Sequence, residues 1–253
     1  MKPLLELRNV TKAYTARHRT VIAVDEVSFS LLPGEILGIM GPSGSGKSTL
    51  ARLMARLEDV DQGEIRLEGE AITRLQGRAL RPVYDRLQLV FQDHAGSFNP
   101  RRTIGDGVGE SMRNEGAGPR ETRERTEELL RQCGLSPELA ERYPHQLSGG
   151  QCQRAAIARA LSHQPKLIIL DEATSALDTT VQQEIISLLA RLQRERGMAY
   201  VFICHNPALI KNFCQRVIVL DKGKIAEQGT VERVFNQPGS QPAKNLLAAA
   251  LSI

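Results

Sequence analysis

The chain has 253 residues, 25% of them charged and 41% apolar, a balance typical of a globular protein with one large domain or two small ones. Its formal net charge of +4 allows an anionic partner, but no basic stretch is interleaved with aromatic residues, which argues against nucleic acid as the main partner. The sequence has no leader pattern and no apolar run near the ~18 residues of a membrane span, so we expect a chain that does not cross a membrane. The four cysteines show no metal-site spacing, which favours the reducing cytoplasm.

The N-terminal part of the chain alternates apolar and polar residues as strands do. Residues 4–10 and 27–32 show this pattern. Pro33-Gly34 predicts a turn, and residues 35–40 predict a short buried strand directly after it.

A phosphate-binding pattern follows this buried strand. Residues 41–48 read Gly-Pro-Ser-Gly-Ser-Gly-Lys-Ser, and residues 48–56 have apolar side chains at helical spacing. Glycines let backbone N–H groups turn towards phosphate oxygens, Lys47 supplies a positive charge, and Ser48 supplies a hydroxyl for Mg²⁺. Because this order places a helix N-terminus against an anion, the sequence predicts a nucleoside triphosphate site rather than a glycine-rich surface turn.

The rest of the chain alternates between strand and helix patterns around a long helical block. Strands are predicted at 63–69, 87–91, 167–170, 200–204 and 217–220, and helical segments between about 105 and 162 and at 181–196. Strands that alternate with helices indicate a parallel α/β sheet, and the helical block predicts a subdomain inserted into it. The C-terminal tail predicts a linker and a short apolar helix at 243–253.

Two carboxylates follow the predicted strand at 167–170. Asp171, at the strand's carboxyl end, is placed to approach a Mg²⁺ held by the phosphate loop. Glu172 lies one residue further out, where it could polarise a water aimed at the γ-phosphate. Without the phosphate loop, an acidic turn that ends a core strand would explain both residues equally well.

A second anion-binding pattern is the string Leu-Ser-Gly-Gly-Gln at 147–151, directly before a helical segment. A serine and two glycines at a helix N-terminus can bind an anion. A simple helix cap with a flexible turn is the alternative.

These motifs occur in the order that is typical of the ABC ATPases. The order is the phosphate loop, Gln92, the string at 147–151, Asp171-Glu172, Ser-Ala-Leu-Asp at 175–178, and His205. Residues 3–236 therefore resemble one ABC nucleotide-binding domain. The resemblance implies a P-loop NTPase (RecA-like) α/β core with an antiparallel β subdomain, a helical subdomain inserted at about 93–160, and a short tail at 237–253.

The resemblance also implies roles for individual residues, with ATP and Mg²⁺ as cofactors. The expected ATP contacts are Tyr14, Gly41, Pro42, Ser43, Gly44, Ser45, Gly46, Lys47, Ser48, Thr49 and Gln92. The expected Mg²⁺ ligands are Ser48, Gln92 and Asp171, and the expected catalytic residues are Glu172 as general base, His205 as γ-phosphate sensor, and Lys47. The expected contacts to ATP held by an opposite subunit are Ser148, Gly149, Gly150, Gln151 and Asp178.

Some of these assignments have alternatives, and some positions depart from the family pattern. Tyr14 stands where the adenine-stacking aromatic is expected, but it would also suit an exposed turn. Asn206 replaces the usual Asp after the histidine, and Cys204 replaces a Ser or Thr. The loss of that carboxylate implies a less active site or compensation by a neighbour, and it leaves open a non-hydrolysing regulatory subunit.

The segment around Gln92 resembles one particular group of ABC ATPases. Residues 91–101 are similar to the corresponding segment of the peptide/nickel import group, with His94 in place of proline and Phe98 in place of leucine. A loop into the helical block is the alternative explanation. The short tail points to the second ATPase of a nickel or dipeptide importer.

The resemblance implies an importer ATPase that powers uptake of nickel, a metal chelate or a di- or oligopeptide. Its expected partners are a related ABC ATPase or a second copy of itself, integral-membrane permease subunits and, indirectly, an extracytoplasmic substrate-binding protein. The expected location is the cytoplasmic face of the inner membrane. The alternative is a soluble ABC ATPase of a non-transport assembly, such as one for phosphonate degradation.

Overall fold

Two β-sheets and ten α-helices make up the described parts of the chain. The computed structural model describes residues 2–16, 19–91, 96–175 and 177–251. The strands are β1 (Leu5–Ala16), β2 (Arg19–Leu31), β3 (Ile36–Met40), β4 (Gln62–Leu67), β5 (Glu70–Ala71), β6 (Leu87–Val90), β7 (Leu167–Asp171), β8 (Ala199–Ile203), β9 (Arg216–Asp221) and β10 (Lys224–Thr230). The helices are α1 (Lys47–Met54), α2 (Arg81–Arg86), α3 (Ile104–Val108), α4 (Glu110–Asn114), α5 (Pro119–Gln132), α6 (Gly149–Leu161), α7 (Thr179–Arg196), α8 (Pro207–Phe213), α9 (Val231–Asn236) and α10 (Gln241–Leu251).

The larger sheet has the strand order β10-β9-β3-β8-β7-β6, and all of its strands except β10 run parallel. β3, β7 and β8 are buried at every residue. Both faces of these strands are covered, which explains why they read as continuous apolar runs. The carboxyl ends of β3, β8 and β7 lie side by side, so the residues that follow these three strands meet at one edge of the sheet.

The smaller sheet is antiparallel, in the order β2-β1-β4-β5. Its first two strands are longer than the predicted 4–10 and 27–32, and they form a hairpin. Register shifts interrupt their pairing after Leu7 and after Val10, and Asn9 has a left-handed φ of 47°. These bulges break the two-residue period, so alternation alone could not show the full strand length.

The core has two parts, one on each face of the larger sheet. Successive residues of a strand point to opposite faces, and β3 accordingly sends Leu37 and Ile39 to one side and Ile36 and Met40 to the other. The first side packs against α1 and the antiparallel sheet. The second side packs against residues of α3–α6, α7 and α8.

The middle of the chain is helical, as the sequence predicts between 105 and 162. It contains α3, α4, α5 and α6, with single 3₁₀ turns at Pro137–Glu141 and Pro144–Gln146. The 3₁₀ turn at Pro137–Glu141 lies within this range, where the sequence predicts α-helical segments. The domain boundaries at 3–236 and 93–160 stay predictions.

The tail is packed against the sheet rather than extended. Ala243 in α10 is fully buried, and Leu246 and Leu247 pack against the core. The carboxylate of Glu227 in β10 accepts hydrogen bonds from the backbone N–H groups of Gly239 and Ser240, at 3.0 and 2.9 Å. Across the described part of the chain, none of the helices combines the length and the apolar character needed to cross a membrane.

Candidate nucleotide site

The loop at 41–48 joins β3 to α1, which is the strand–loop–helix arrangement that the sequence predicts. Gly46 immediately precedes α1 and has a left-handed φ of 103°. A Cβ atom at this position would lie 2.1 Å from the backbone oxygen of Ala23 in β2. The loop therefore passes too close to the hairpin for any side chain, and only glycine fits.

Lys47 is buried at the first position of α1. Its ammonium donates hydrogen bonds to the carbonyl oxygens of Gly41 and Pro42, both at 2.9 Å. Burial lowers the pKa of this ammonium, while the negative charges of Glu172 and Asp171 act in the opposite direction. A buried ammonium whose hydrogen bonds go to neutral carbonyls is an attractive position for an anion.

Asp171 ends β7 and is also buried, with 7% of its surface exposed. The hydroxyl of Ser48 donates to its Oδ1 at 3.3 Å. Burial raises the pKa of the Asp171 carboxyl, and the hydrogen bond from Ser48 opposes this shift. A hydroxyl oxygen and a carboxylate oxygen at this spacing are hard donors of the kind that Mg²⁺ prefers, so these two residues fit the expected ion.

Glu172 follows in an unusual backbone conformation, with a left-handed φ of 49°. Its N–H donates to the carbonyl oxygen of Ile203 at 3.0 Å, which ties it to the end of β8. His205 comes two residues after that strand, and its Nδ1 lies 4.0 Å from Glu172 Oε2. A non-glycine residue in this conformation is strained by roughly 1–2 kcal/mol and is held there by its surroundings, which is common at functional sites.

These elements enclose an open cleft of about 770 Å³. Its lining consists of Val21, Ile22, Ala23, Gly41, Ser43, Gly44, Gly46, Lys47, Ser48, Thr49, Glu172, His205 and Lys222. Pro42 and Ser45 support the loop from outside this lining: the Pro42 carbonyl accepts from Ser45 N–H at 3.2 Å, and Ser45 is 1% exposed.

Several residues of this lining were not predicted from the sequence. Val21 and Ile22 are exposed apolar residues of β2, and Lys222 lies in the turn between β9 and β10. None of them belongs to a motif, and only tertiary structure brings them to the loop. Of the three, only Lys222 has a local sequence signal, because Lys222-Gly223 predicts a turn directly after an apolar strand.

Tyr14 is placed beside the cleft rather than in its lining. Its hydroxyl donates to Glu58, and the Lys12 ammonium lies 5.7 Å from the centre of its ring. Its side chain is 40% exposed, so stacking of a base on Tyr14 stays a prediction. Gln92 and His94 lie outside the described residues.

The residues predicted to act across a subunit boundary lie at the N-termini of α6 and α7, outside the lining of the cleft. Ser148 caps α6: its hydroxyl accepts from Gln151 N–H at 3.2 Å, and its own N–H donates to the Gln151 side chain at 3.0 Å. Asp178 caps α7 by accepting from Val181 N–H at 3.0 Å. None of Ser148, Gly149, Gly150, Gln151 and Asp178 is among the residues that line the cleft.

The two departures after β8 have structural roles. Asn206 caps α8 by accepting from Ala208 N–H at 2.9 Å, a role for which asparagine and aspartate are about equally suited because it needs an oxygen and not a charge. Cys204 is buried, its sulfur accepts from Asn206 N–H at 3.3 Å, and burial raises the pKa of its thiol to about 11. The thiol therefore stays protonated at neutral pH.

We predict that Gly46→Ala lowers the free energy of unfolding by at least ~2 kcal/mol, because the new methyl group would collide with the Ala23 carbonyl. Gly44→Ala is the matched control: Gly44 also has a positive φ, 76°, but a Cβ there meets nothing within 4 Å. That variant should lose only the ~1–2 kcal/mol of left-handed strain. Denaturant unfolding of nucleotide-free protein measures both, and equal losses would contradict the close approach.

Known proteins are similar to this chain in sequence and in fold. The family described as ABC transporter matches residues 24–175. The glutathione import ATP-binding protein GsiA of Salmonella choleraesuis (strain SC-B67) is 43% identical over 98% of this chain, and its counterpart in Escherichia coli (strain K12) is 44% identical over the same share. The chain spans about two fifths (41%) of the length of these curated relatives.

Two solved structures are also similar. The dimeric, post-hydrolysis ATP-binding cassette MJ0796 bound to ADP and Pi has a TM-score of 0.83 and 32% identity, covering 90% of this chain and 98% of that one. For cbiO1 of Clostridium perfringens, part of the ABC transporter complex cbiONQ, the TM-score is 0.83 and the identity 27%, covering 94% and 92%. The chain therefore belongs to the ABC transporter family, as one of its P-loop ATPase cassettes, and its sequence fits the peptide/nickel import group.

Proposed function

We propose that the cleft at 41–48 binds MgATP and that its hydrolysis energises import of a small solute through a membrane permease. The observation that supports hydrolysis most strongly is the convergence of Lys47, Ser48, Asp171 and Glu172 at one edge of the parallel sheet. Lys47 and Ser48 follow β3, and the two carboxylates stand at the end of β7. A positive charge, a hydroxyl and two carboxylates at one place are what phosphoryl transfer to water requires.

Binding rests on the loop and on α1. In this proposal the backbone N–H groups of the loop and of the first turn of α1 donate to the phosphates, and the Lys47 ammonium adds a positive charge. Ser48 and Asp171 would hold Mg²⁺, which neutralises charge on the phosphates when it is bound. The counter-charge of the phosphates offsets the cost of burying Lys47.

Glu172 is the proposed general base. Its backbone conformation and its hydrogen bond to Ile203 place its carboxylate on the wall of the cleft, where it can accept a proton from a water. His205 stands opposite, within 4.0 Å of Glu172, and is 59% exposed. In this proposal His205 donates a hydrogen bond to the γ-phosphate.

A second cassette would complete the site. The caps of α6 and α7 present Ser148 and Asp178 on an exposed surface, outside the cleft of their own chain. Facing the cleft of another cassette, the N-terminus of α6 would add N–H groups to the far side of the ATP. That cassette would be a related chain or a second copy of this one.

The proposed cargo is a di- or oligopeptide, with nickel or a metal chelate as the second candidate. The peptide cargo is supported by the 43–44% sequence identity to proteins named for glutathione import, because glutathione is itself a small peptide. The chain would work at the cytoplasmic face of the membrane, together with permease subunits and, through them, an extracytoplasmic binding protein.

We predict that Glu172→Gln retains ATP binding but lowers the rate of hydrolysis at least ~100-fold, because the amide cannot take the proton of the attacking water. Glu195→Gln, on the exposed part of α7, is the matched control and should hydrolyse ATP at the wild-type rate. Phosphate release measures the rate of hydrolysis, and equilibrium binding of ATP measures the affinity separately. Wild-type turnover by Glu172→Gln would exclude Glu172 as the base.

Purification from native membranes tests the import proposal. We expect a detergent-solubilised complex that contains this chain, a second cassette and at least one integral-membrane subunit, with composition read by mass spectrometry. An ATP-hydrolysing complex without any integral-membrane subunit would contradict import and favour the non-transport assembly.

A further inference from the structure

We propose that Asp85, Glu115 and His163 form a binding site for a divalent transition-metal ion, with Zn²⁺ as the ion of best fit. The site is separate from the nucleotide cleft, and this inference does not rest on the proposed function. The three ligand-bearing atoms lie within 4.8 Å of one another. Imidazole nitrogen and carboxylate oxygen are common protein ligands of Zn²⁺.

The three residues come from separate elements that meet where the helical block joins the sheet. Asp85 is in α2, Glu115 directly follows α4, and His163 lies two residues after α6. Hydrogen bonds tie these elements together beside the cluster. Arg81 in α2 donates to the carbonyl of Asn114 at 3.3 Å, and the hydroxyls of Ser111 and Ser162 lie 2.7 Å apart.

The spacing of the ligand atoms is close to what an ion requires. His163 Nδ1 lies 3.6 Å from Asp85 Oδ1 and 3.9 Å from Glu115 Oε1. Two ligands at 2.0–2.2 Å from one tetrahedral Zn²⁺ are roughly 3.4 Å apart. The two distances from His163 exceed this value by a few tenths of an ångström, and all three ligand atoms lie within 4.8 Å of one another. Both carboxylates are 47% exposed, so their side chains can rotate to close the remaining gaps.

His163 supplies the independent sign that a ligand belongs here. Its Nδ1 is buried and has no hydrogen-bond partner within the described part of the chain. A buried polar atom without a partner costs about 1–3 kcal/mol, and such an atom in a native protein calls for an explanation. A metal ion bound to Nδ1 would remove this cost.

The surroundings favour a cation. All three residues line a cleft of about 530 Å³, together with Glu110 and two arginines. One of these, Arg159, has its guanidinium over the ring of Phe98, 4.7 Å from the ring centre, and donates to the Ser97 carbonyl. The other, Arg81, donates to Asn114 as described above. Acidic groups outnumber arginines in the lining, and the arginine donors have partners of their own.

Calorimetric titration of the nucleotide-free 253-residue chain with Zn²⁺ tests the site. Millimolar Mg²⁺ is present so that it occupies sites made only of oxygen ligands. We expect one Zn²⁺ site that weakens at least ~100-fold in His163→Ala and at least ~10-fold in Asp85→Asn and in Glu115→Gln. Glu110 lines the same cleft but is not one of the three proposed ligands, so Glu110→Gln is the matched control and should change the Zn²⁺ affinity less than ~2-fold. Thermal unfolding gives a second readout, because an ion bound to the folded state raises the Tm of wild type but not of His163→Ala.

Three results would overturn the site. One is equal Zn²⁺ affinity and stoichiometry in wild type and His163→Ala. Another is a loss in Glu110→Gln as large as that in Asp85→Asn, which would indicate general attraction to an acidic surface. The third is a loss in His163→Ala without any loss in either carboxylate variant. If His163→Ala does not fold, Asp85→Asn, whose side chain is about half exposed, decides alone against wild type.

Discussion

The structure depends on two charged side chains buried at one edge of a parallel sheet. Lys47 is 6% exposed and Asp171 is 7% exposed, and burial shifts the pKa of each towards its neutral form. Charges in such positions are retained where a ligand compensates for them, and a triphosphate with its metal ion has both signs of charge. The order of β3, β8 and β7 brings the two residues together, so the topology of the sheet serves the site directly.

Local patterns were sufficient to predict the centre of the site. The loop at 41–48, the strand before it and the helix after it are contiguous in sequence, so each could be read from residue type and spacing. Asp171 and Glu172 could be placed because carboxyl ends of parallel strands share an edge. The P-loop fold expected from the resemblance is confirmed by the structural neighbours.

Other features depend on tertiary contacts that spacing does not show. Bulges in β1 interrupt the alternation of apolar and polar residues, so the length of the first hairpin could not be predicted. This hairpin brings Val21 and Ile22 to the cleft. The tail was expected to include a linker, but backbone N–H groups bonded to the Glu227 carboxylate fasten it to the sheet. Asn206 lacks the carboxylate that is usual at its position, but its side-chain oxygen still caps α8.

Asp171 and Ser48 are the proposed ligands of the metal ion that accompanies a bound nucleotide. Calorimetry with a non-hydrolysable ATP analogue, with and without Mg²⁺, tests this role in wild type and in Asp171→Asn, which keeps the shape of the side chain and removes its charge. We predict that Mg²⁺ tightens binding at least ~10-fold in wild type and hardly at all in the variant. An equal Mg²⁺ effect in both proteins would show that the Asp171 carboxylate does not hold the ion.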